Sequence, residues 1–159
     1  MNIRPAKFND VPDILPMVAS VCALHQEWDK AKYNFKPNPQ EHYRKWLLAQ
    51  TKNERSVFFV AEDGTQTSKK LVGFLIATVE REIPIYQLQE FAFIHDLWVE
   101  PKYRQAGIAK QMIVETVARF KQMGIEQIRL DTSYANEIAR KLFSNCGFRI
   151  STIEMLIEL

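Results

Sequence analysis

The stretch from Glu90 to Gly124 restricts the fold of this chain more than any other. Glu90 to Val99 is an apolar and aromatic run that reads as a strand and stops at Glu100-Pro101. A helical period begins almost at once, from about Gln105, with Ile108, Met112, Ile113, Val117 and Phe120 on one stripe and Gly124 as its C-terminal stop. A further strand, Gln127 to Asp131, and a further helix, Asn136 to Asn145 closed by Gly147, repeat the alternation. Alternating strands and helices imply parallel pairing late in the chain. The first half differs. Ser56 to Ala61 and Leu71 to Val79, joined through Asp63-Gly64 and a polar loop, read as an antiparallel hairpin. The expectation is therefore an α/β (α+β) fold with a mixed, mostly antiparallel sheet flanked by helices.

The remaining segments fit around that sheet. Ile3 to Pro5 reads as a short first strand. Asn9-Asp10 offers an N-cap, with Pro12 in the opening turn of a helix carrying Ile14, Leu15, Val18, Val21 and Cys22 on one stripe. His25 to Pro39 is polar, aromatic and broken by Pro37 and Pro39, which predicts a long loop. Asn38-Pro39 then starts a second helix with Tyr43, Trp46 and Leu47 on one side. Phe148 to Ser151 and Ile153 to Leu159 read as closing strands. At 159 residues and 47% hydrophobic, residues 1–159 fit one self-sufficient domain and exclude a disordered chain.

Charge excludes little. The formal net charge is +2, and Lys and Arg interleave with Asp and Glu, so no basic face points to nucleic acid. No apolar stretch approaches the ~20 residues of a membrane helix, and Met1 to Pro5 lacks the apolar core of a secretory signal. Cys22 and Cys146 form no Cys-x-x-Cys pair, so two free thiols in a reducing, cytoplasmic setting are expected.

The strand-loop-helix also carries the chemistry. The first turn of a helix leaves backbone N–H groups unpaired at its partly positive end. Gly107 has no Cβ, Ala106 and Ala109 have only a methyl, and Lys102, Arg104 and Lys110 add positive charge. A phosphate can approach the backbone from Gln105 to Lys110. A plain helix start with solvated cations fits the same residues. Neither Gly-x-x-x-x-Gly-Lys-Ser/Thr nor Gly-x-Gly-x-x-Gly is present, which excludes a P-loop and weakens a dinucleotide site.

Arg104-Gln-Ala-Gly107-Ile-Ala109 resembles the Arg/Gln-x-x-Gly-x-Gly/Ala signature of the GNAT family, the Gcn5-related N-acetyltransferases. Asp96-Leu-Trp-Val99-Glu-Pro-Lys-Tyr103 looks like the entry to its pyrophosphate loop, and Asn136-x-x-Ala139-x-x-Leu142-Phe143 with Gly147-Phe148 agrees in order and spacing. The resemblance is strong from Glu90 to Arg149. It implies that acetyl-CoA is the co-substrate, its pyrophosphate on the N–H groups of Gln105, Ala106, Gly107, Ile108, Ala109 and Lys110, with Arg104 beside them. The pantetheine arm would pair with Leu97, Trp98 and Val99 where the fourth and fifth strands splay, and a backbone N–H there would polarise the thioester carbonyl. Asn136 would contact the arm and Phe143 would pack beside it. The implied reaction is direct acetyl transfer to an amine, with no acyl-enzyme and no metal. A catalytically silent acyl-CoA-binding module is the alternative.

Direct transfer needs a base for the incoming ammonium and, optionally, an acid for the departing thiolate. His95 and Asp96 are the candidate bases, and strand alternation points adjacent residues to opposite faces, so only one should meet the cleft. Each has a bland reading, as a hydrogen-bonded structural histidine or as a partner for a neighbouring element. Many family members carry a tyrosine acid where Phe143 stands. Tyr134 is the candidate substitute, or the thiolate leaves unaided. The acceptor would be shaped by roughly Leu24 to Tyr43 and Arg81 to Gln89, where Glu27, Trp28, Asp29, Tyr33 and Glu82 could bind a cationic amine. A small-molecule amine acceptor is expected, with no nucleic-acid or membrane partner, in a monomer or homodimer.

Overall fold

A computed structural model of the chain describes residues 1–64 and 70–159. The polar hairpin loop expected after Gly64 lies mostly outside the described residues. The described strands form one sheet in the order β1 (Asn2–Pro5), β2 (Ser56–Asp63), β3 (Lys70–Arg81), β4 (Glu90–Val99) and β5 (Ile128–Leu130). The first three pairings are antiparallel and only β4 with β5 is parallel. That is the mixed sheet the sequence predicts.

Helices α1 (Val11–Trp28) and α2 (Pro39–Gln50) cover one face, and α3 (Ile108–Gln122) and α4 (Glu137–Asn145) cover the other. Burial on both sides explains why β2 and β3 read as continuous apolar runs rather than as alternating ones. Phe58, Val60, Phe74 and Ile76 pack against Ile14, Val18 and Leu47, while Val57, Phe59, Leu75 and Ala77 pack against Met112, Ile113 and Phe120. Gly73 is required at the centre of the sheet. A Cβ there would lie 2.7 Å from the Trp98 carbonyl oxygen of β4.

Four local expectations are corrected. The loop expected from His25 begins later, because α1 runs on to Trp28 and His25 bonds through its ring to the Val21 carbonyl (2.9 Å). Asp10 stands at the N-cap of α1 without capping it. Its carboxylate instead receives Arg4 (2.7 and 2.9 Å) and the Lys7 N–H (2.6 Å). The fifth strand is shorter than Gln127 to Asp131, with only Ile128–Leu130 paired. Phe148 to Ser151 and Ile153 to Leu159 are not strands. Phe148 still packs on the core, but the tail beyond it is exposed and unpaired in the sheet, touching the α1–α2 connection where Glu154 meets Lys32. A run of β-prone residues becomes a strand only beside an edge long enough to pair with, and β5 offers three residues. Among the described residues no helix is long and apolar enough to cross a membrane.

Candidate active site

The parallel contact between β4 and β5 is brief. Ala92, Phe93 and Ile94 pair with Ile128, Arg129 and Leu130, and there it ends. Among the described strands, β3 alone pairs with Asp96 to Val99, through Ile76, Leu75, Phe74 and Gly73. One edge of Leu97, Trp98 and Val99 is therefore unpaired by any described strand, at the point where β4 leads toward α3. Unpaired strand edges present N–H and C=O groups that accept an extended ligand as an added strand.

The loop at the end of that edge turns sharply. Gln105 (φ +64°) and Gly107 (φ +79°) are both left-handed, two residues apart. Gly107 is the N-cap of α3 and no side chain caps that helix end. Its first N–H groups are free to receive an anion, with the positive end of the helix behind them. A Cβ on Gly107 would meet nothing within 4 Å, so the protein itself leaves that space open. Arg104 is anchored: its Nε donates to the Val99 carbonyl (2.9 Å) and its guanidinium lies 4.6 Å from the centre of the Trp98 ring. Lys102 and Lys110 are exposed on either side.

The base candidates lie one step back along β4. The β3–β4 register slips between Ile76, opposite Asp96, and Ala77, opposite Ile94, so His95 is the extra residue of a bulge. The bulge overturns the expectation that His95 and Asp96 point to opposite faces. Both side chains meet α2. Tyr43 donates its hydroxyl to Asp96 Oδ2 (2.8 Å), and the Trp46 ring stands edge-on to the His95 ring with centres 5.0 Å apart. Phe93 stands edge-on to His95 as well, at 5.2 Å. Across the sheet, His95 Nε2 is 2.7 Å from Thr78 Oγ1 and 3.4 Å from Glu80 Oε1, and Thr78 donates its hydroxyl to the same Glu80 oxygen (2.6 Å).

Burial separates the two candidates. It pushes the Asp96 carboxyl above the ordinary aspartate range, against the opposing pull of the Tyr43 hydroxyl and of the nearby His95 and His25. The Tyr43 phenol is pushed up too, first by burial and then by the Asp96 charge, so it remains a donor. Cys22 on α1 is pushed up to about 11 by burial and then by the Asp96 charge, which leaves it a neutral thiol. Asp96 thus sits as a partner of α2, while the His95 side chain keeps 26% of its surface open.

The other predicted residues are dispersed. Asn136 is the N-cap of α4, accepting the Ala139 N–H on Oδ1 (3.1 Å). Phe143 is 9% exposed, in the core with its ring 5.5 Å from that of Phe148. Tyr134 is 87% exposed with Arg140 over its ring at 4.9 Å, and no described ring contact or hydrogen bond joins it to His95 or Asp96. On the acceptor side, Asp29 receives the Ala31 and Lys32 N–H groups in a turn (both 3.1 Å), and Glu82 is paired with Arg129. Trp28 and Tyr33 stack around His25, at 5.3 and 4.7 Å between ring centres. Glu27 is exposed.

The sequence alone does not single out Thr78 and Glu80 as site residues, and it places Tyr43 and Trp46 on one side of the second helix without tying them to Asp96 or His95. A signal was present. Thr78 and Glu80 are two apart at the polar end of an apolar strand, hence on one face, and a hairpin register carries that face past β4.

Comparison with known proteins agrees with this geometry. A family model described as the acetyltransferase (GNAT) family matches residues 21–148. An uncharacterised N-acetyltransferase of Bacillus subtilis is 34% identical over 91 residues, covering 57% of this chain and 56% of the relative. The chain spans between 46% and 59% of the length of the curated relatives it matches. The Bacillus halodurans BH1408 protein, solved as a tetramutant, superposes with a TM-score of 0.85 over the whole of both chains at 22% identity. A Clostridium acetobutylicum structure described as a predicted acetyltransferase with acetyl-CoA gives a TM-score of 0.72 at 19% identity, covering 99% of this chain and 95% of that one.

Proposed function

Because the chain belongs to the acetyltransferase (GNAT) family, whose co-substrate is acetyl-CoA, we propose that it transfers the acetyl group of acetyl-CoA directly to a primary amine. The observation that carries this reading is the coincidence of three features on β4. A free strand edge at Leu97 to Val99 leads to an uncapped helix N-terminus at Gly107, and a histidine is displaced by a bulge just before that edge.

In this reading the N–H groups from Gln105 to Lys110 bind the pyrophosphate, with Lys102 and Lys110 adding charge. Arg104, tied to Val99 and Trp98, chiefly holds the loop against the strand. The Leu97 to Val99 edge pairs the pantetheine arm, and one of its N–H groups faces the thioester oxygen as charge builds there. His95 takes the proton from the incoming ammonium. The amine nitrogen bonds to the carbonyl carbon, the C–S bond breaks, the thiolate departs and the remaining surplus proton on nitrogen passes to water. The buried Phe143 and the outward Tyr134 favour departure unaided by a side-chain acid, which a thiolate tolerates.

The acceptor we propose is a small cationic amine. Glu80 supports this, because its carboxylate is the half-exposed negative group beside His95. The apolar side chains of Ile83, Ile85 and Tyr86 stand exposed in the connection before β4 and offer a surface for the acceptor's carbon skeleton. The two unpaired cysteines suit a reducing compartment, and we place the chain in the cytoplasm on that basis.

The test is thiol release from acetyl-CoA against a panel of polyamines, aminoglycosides, amino acids and peptide amines. Turnover of at least one is expected. Tight CoA binding with no amine turned over would favour the silent acyl-CoA-binding module, the reading that the absent tyrosine at Phe143 supports. With an acceptor found, His95→Gln should lower kcat by about 100-fold and flatten the pH–rate profile near neutrality. An unchanged profile removes His95 from the base role.

A further inference from the structure

We propose that Thr78 and Glu80 are positioning residues for His95. They form a relay from β3 that fixes which ring nitrogen carries the proton and leaves Nδ1 as the basic atom. This rests on the reading of His95 as the base.

The argument is one of donors and acceptors. Thr78 Oγ1 lies 2.6 Å from Glu80 Oε1 and 2.7 Å from His95 Nε2. An ionised carboxylate only accepts, and a threonine hydroxyl has a single hydrogen. That hydrogen belongs to Glu80, so the lone pair of Oγ1 must receive a hydrogen from Nε2. Neutral His95 is thereby held as the Nε2–H tautomer, and its free lone pair is on Nδ1. When Nδ1 takes a proton from the acceptor ammonium, the imidazolium charge develops 3.4 Å from the Glu80 oxygen that already holds Thr78. The carboxylate then favours the protonated ring without being protonated itself, and no atom beyond the transferred proton moves.

The setting keeps the relay on one side of the ring. Trp46 and Phe93 stand edge-on to the imidazole, which restricts its rotation. Thr78 is 6% exposed, so water does not readily replace it as the partner of Nε2. The other titratable groups facing His95 are Asp96 beside it on β4, Tyr43 on α2 and, through Asp96, His25 and Cys22 on α1. Asp96 is already bonded to Tyr43, and its charge acts from the α2 side rather than from β3. The bulge makes the arrangement possible, because it sets the extra residue His95 beside Thr78 and Glu80 rather than opposite its own partner in the ladder.

The test needs no acceptor. The chain has three histidines, so long-range proton–nitrogen NMR spectra of the ¹⁵N-labelled full chain resolve each ring, and His95→Gln identifies the signal. In the wild type the neutral His95 ring is expected to carry its proton on Nε2. Thr78→Val should release that preference and Thr78→Ser should keep it. Glu80→Gln should weaken the same preference, because the carboxylate that can only accept the Thr78 hydrogen becomes an amide that can present either a donor or an acceptor. Once an amine is found, Thr78→Val and Glu80→Gln should lower kcat while KM for acetyl-CoA stays unchanged. A wild-type ring protonated on Nδ1, or a tautomer preference unmoved by both Thr78→Val and Glu80→Gln, overturns the relay even where His95→Gln abolishes turnover. An intact Nε2–H signal in a protein whose His95→Gln variant keeps full activity overturns instead the base reading, and with it the catalytic purpose of the relay.

Discussion

The two ends of the candidate site are made of different material. At the proposed cofactor end, from Leu97 to Lys110, the groups on offer are backbone N–H and C=O, presented by a strand edge that no described strand pairs and a helix start that no side chain caps. At the proposed acceptor end, from Thr78 to His95 and across to α2, the groups on offer are side chains, and most are already bonded to one another. A backbone site tolerates many side chains but is sensitive to whatever crowds the main chain. A side-chain site tolerates backbone drift but fails when one member of its network is removed. The two ends should therefore respond to opposite kinds of substitution.

The largest effect is expected at the cofactor end. Gly107→Glu places a side chain and a negative charge where the phosphates would approach, in a space the protein leaves open. We expect KM for acetyl-CoA to rise on the order of 100-fold, with kcat at saturation much less affected. A left-handed backbone carrying a side chain costs about 1 kcal/mol, so the melting curve should move by only a few degrees. Calorimetric CoA binding beside a thermal scan separates the two. A KM unchanged by Gly107→Glu would mean that the cofactor end is not a backbone site.

This contrast also explains what the sequence reveals. Glycine, small residues and the switch from a period of two to one of 3.6 are properties of the main chain, and they are written locally. Hence β4, the loop at Gly107 and α3 are all legible, as are α1, α2 and the β2–β3 hairpin. The relation of His95 to Asp96 is not, because it depends on one residue of slip between β3 and β4, a fact of pairing rather than of either strand alone. The closing strands fail for a related reason. Phe148 to Leu159 has strand-like residues, but whether they pair is decided by β5, whose length the tail cannot encode. Asn136, named for a ligand contact, also caps its own helix, a second role that the motif spacing alone does not declare.

A middle-sized effect should come from the side-chain network. Tyr43→Phe removes the one hydroxyl donated to Asp96, and the loss of a hydrogen bond to a shielded carboxylate amounts to about 1–2 kcal/mol of stability. Its pH dependence has a definite sign. Burial raises the folded pKa of Asp96 above its ordinary 3.8, so the native state holds that proton longer than the unfolded chain does. The Asp96 contribution to stability therefore falls as pH rises from about that ordinary value through the raised one. Tyr43 opposes the rise, and removing it widens the window upward. Denaturant unfolding should show a greater loss for Tyr43→Phe at pH 8 than at pH 4. Equal losses at both would mean that Asp96 is not ionised beside Tyr43.

The smallest effect is expected from Phe143→Tyr, although it restores the residue that the family resemblance associates with the acid. If the absent phenol were limiting, its return should raise kcat. The ring at position 143 is 9% exposed and stands edge-on to Phe148 in the core formed with α3, β4 and β5. A hydroxyl added there needs a partner that this apolar neighbourhood does not supply, which costs about 1 kcal/mol. We expect kcat within twofold of wild type and a slightly lower melting temperature. A kcat raised tenfold would place position 143 within reach of the departing sulfur. The acceptor end would then also lack the group that the family resemblance associates with the acid, and its self-satisfied network would be an incomplete one.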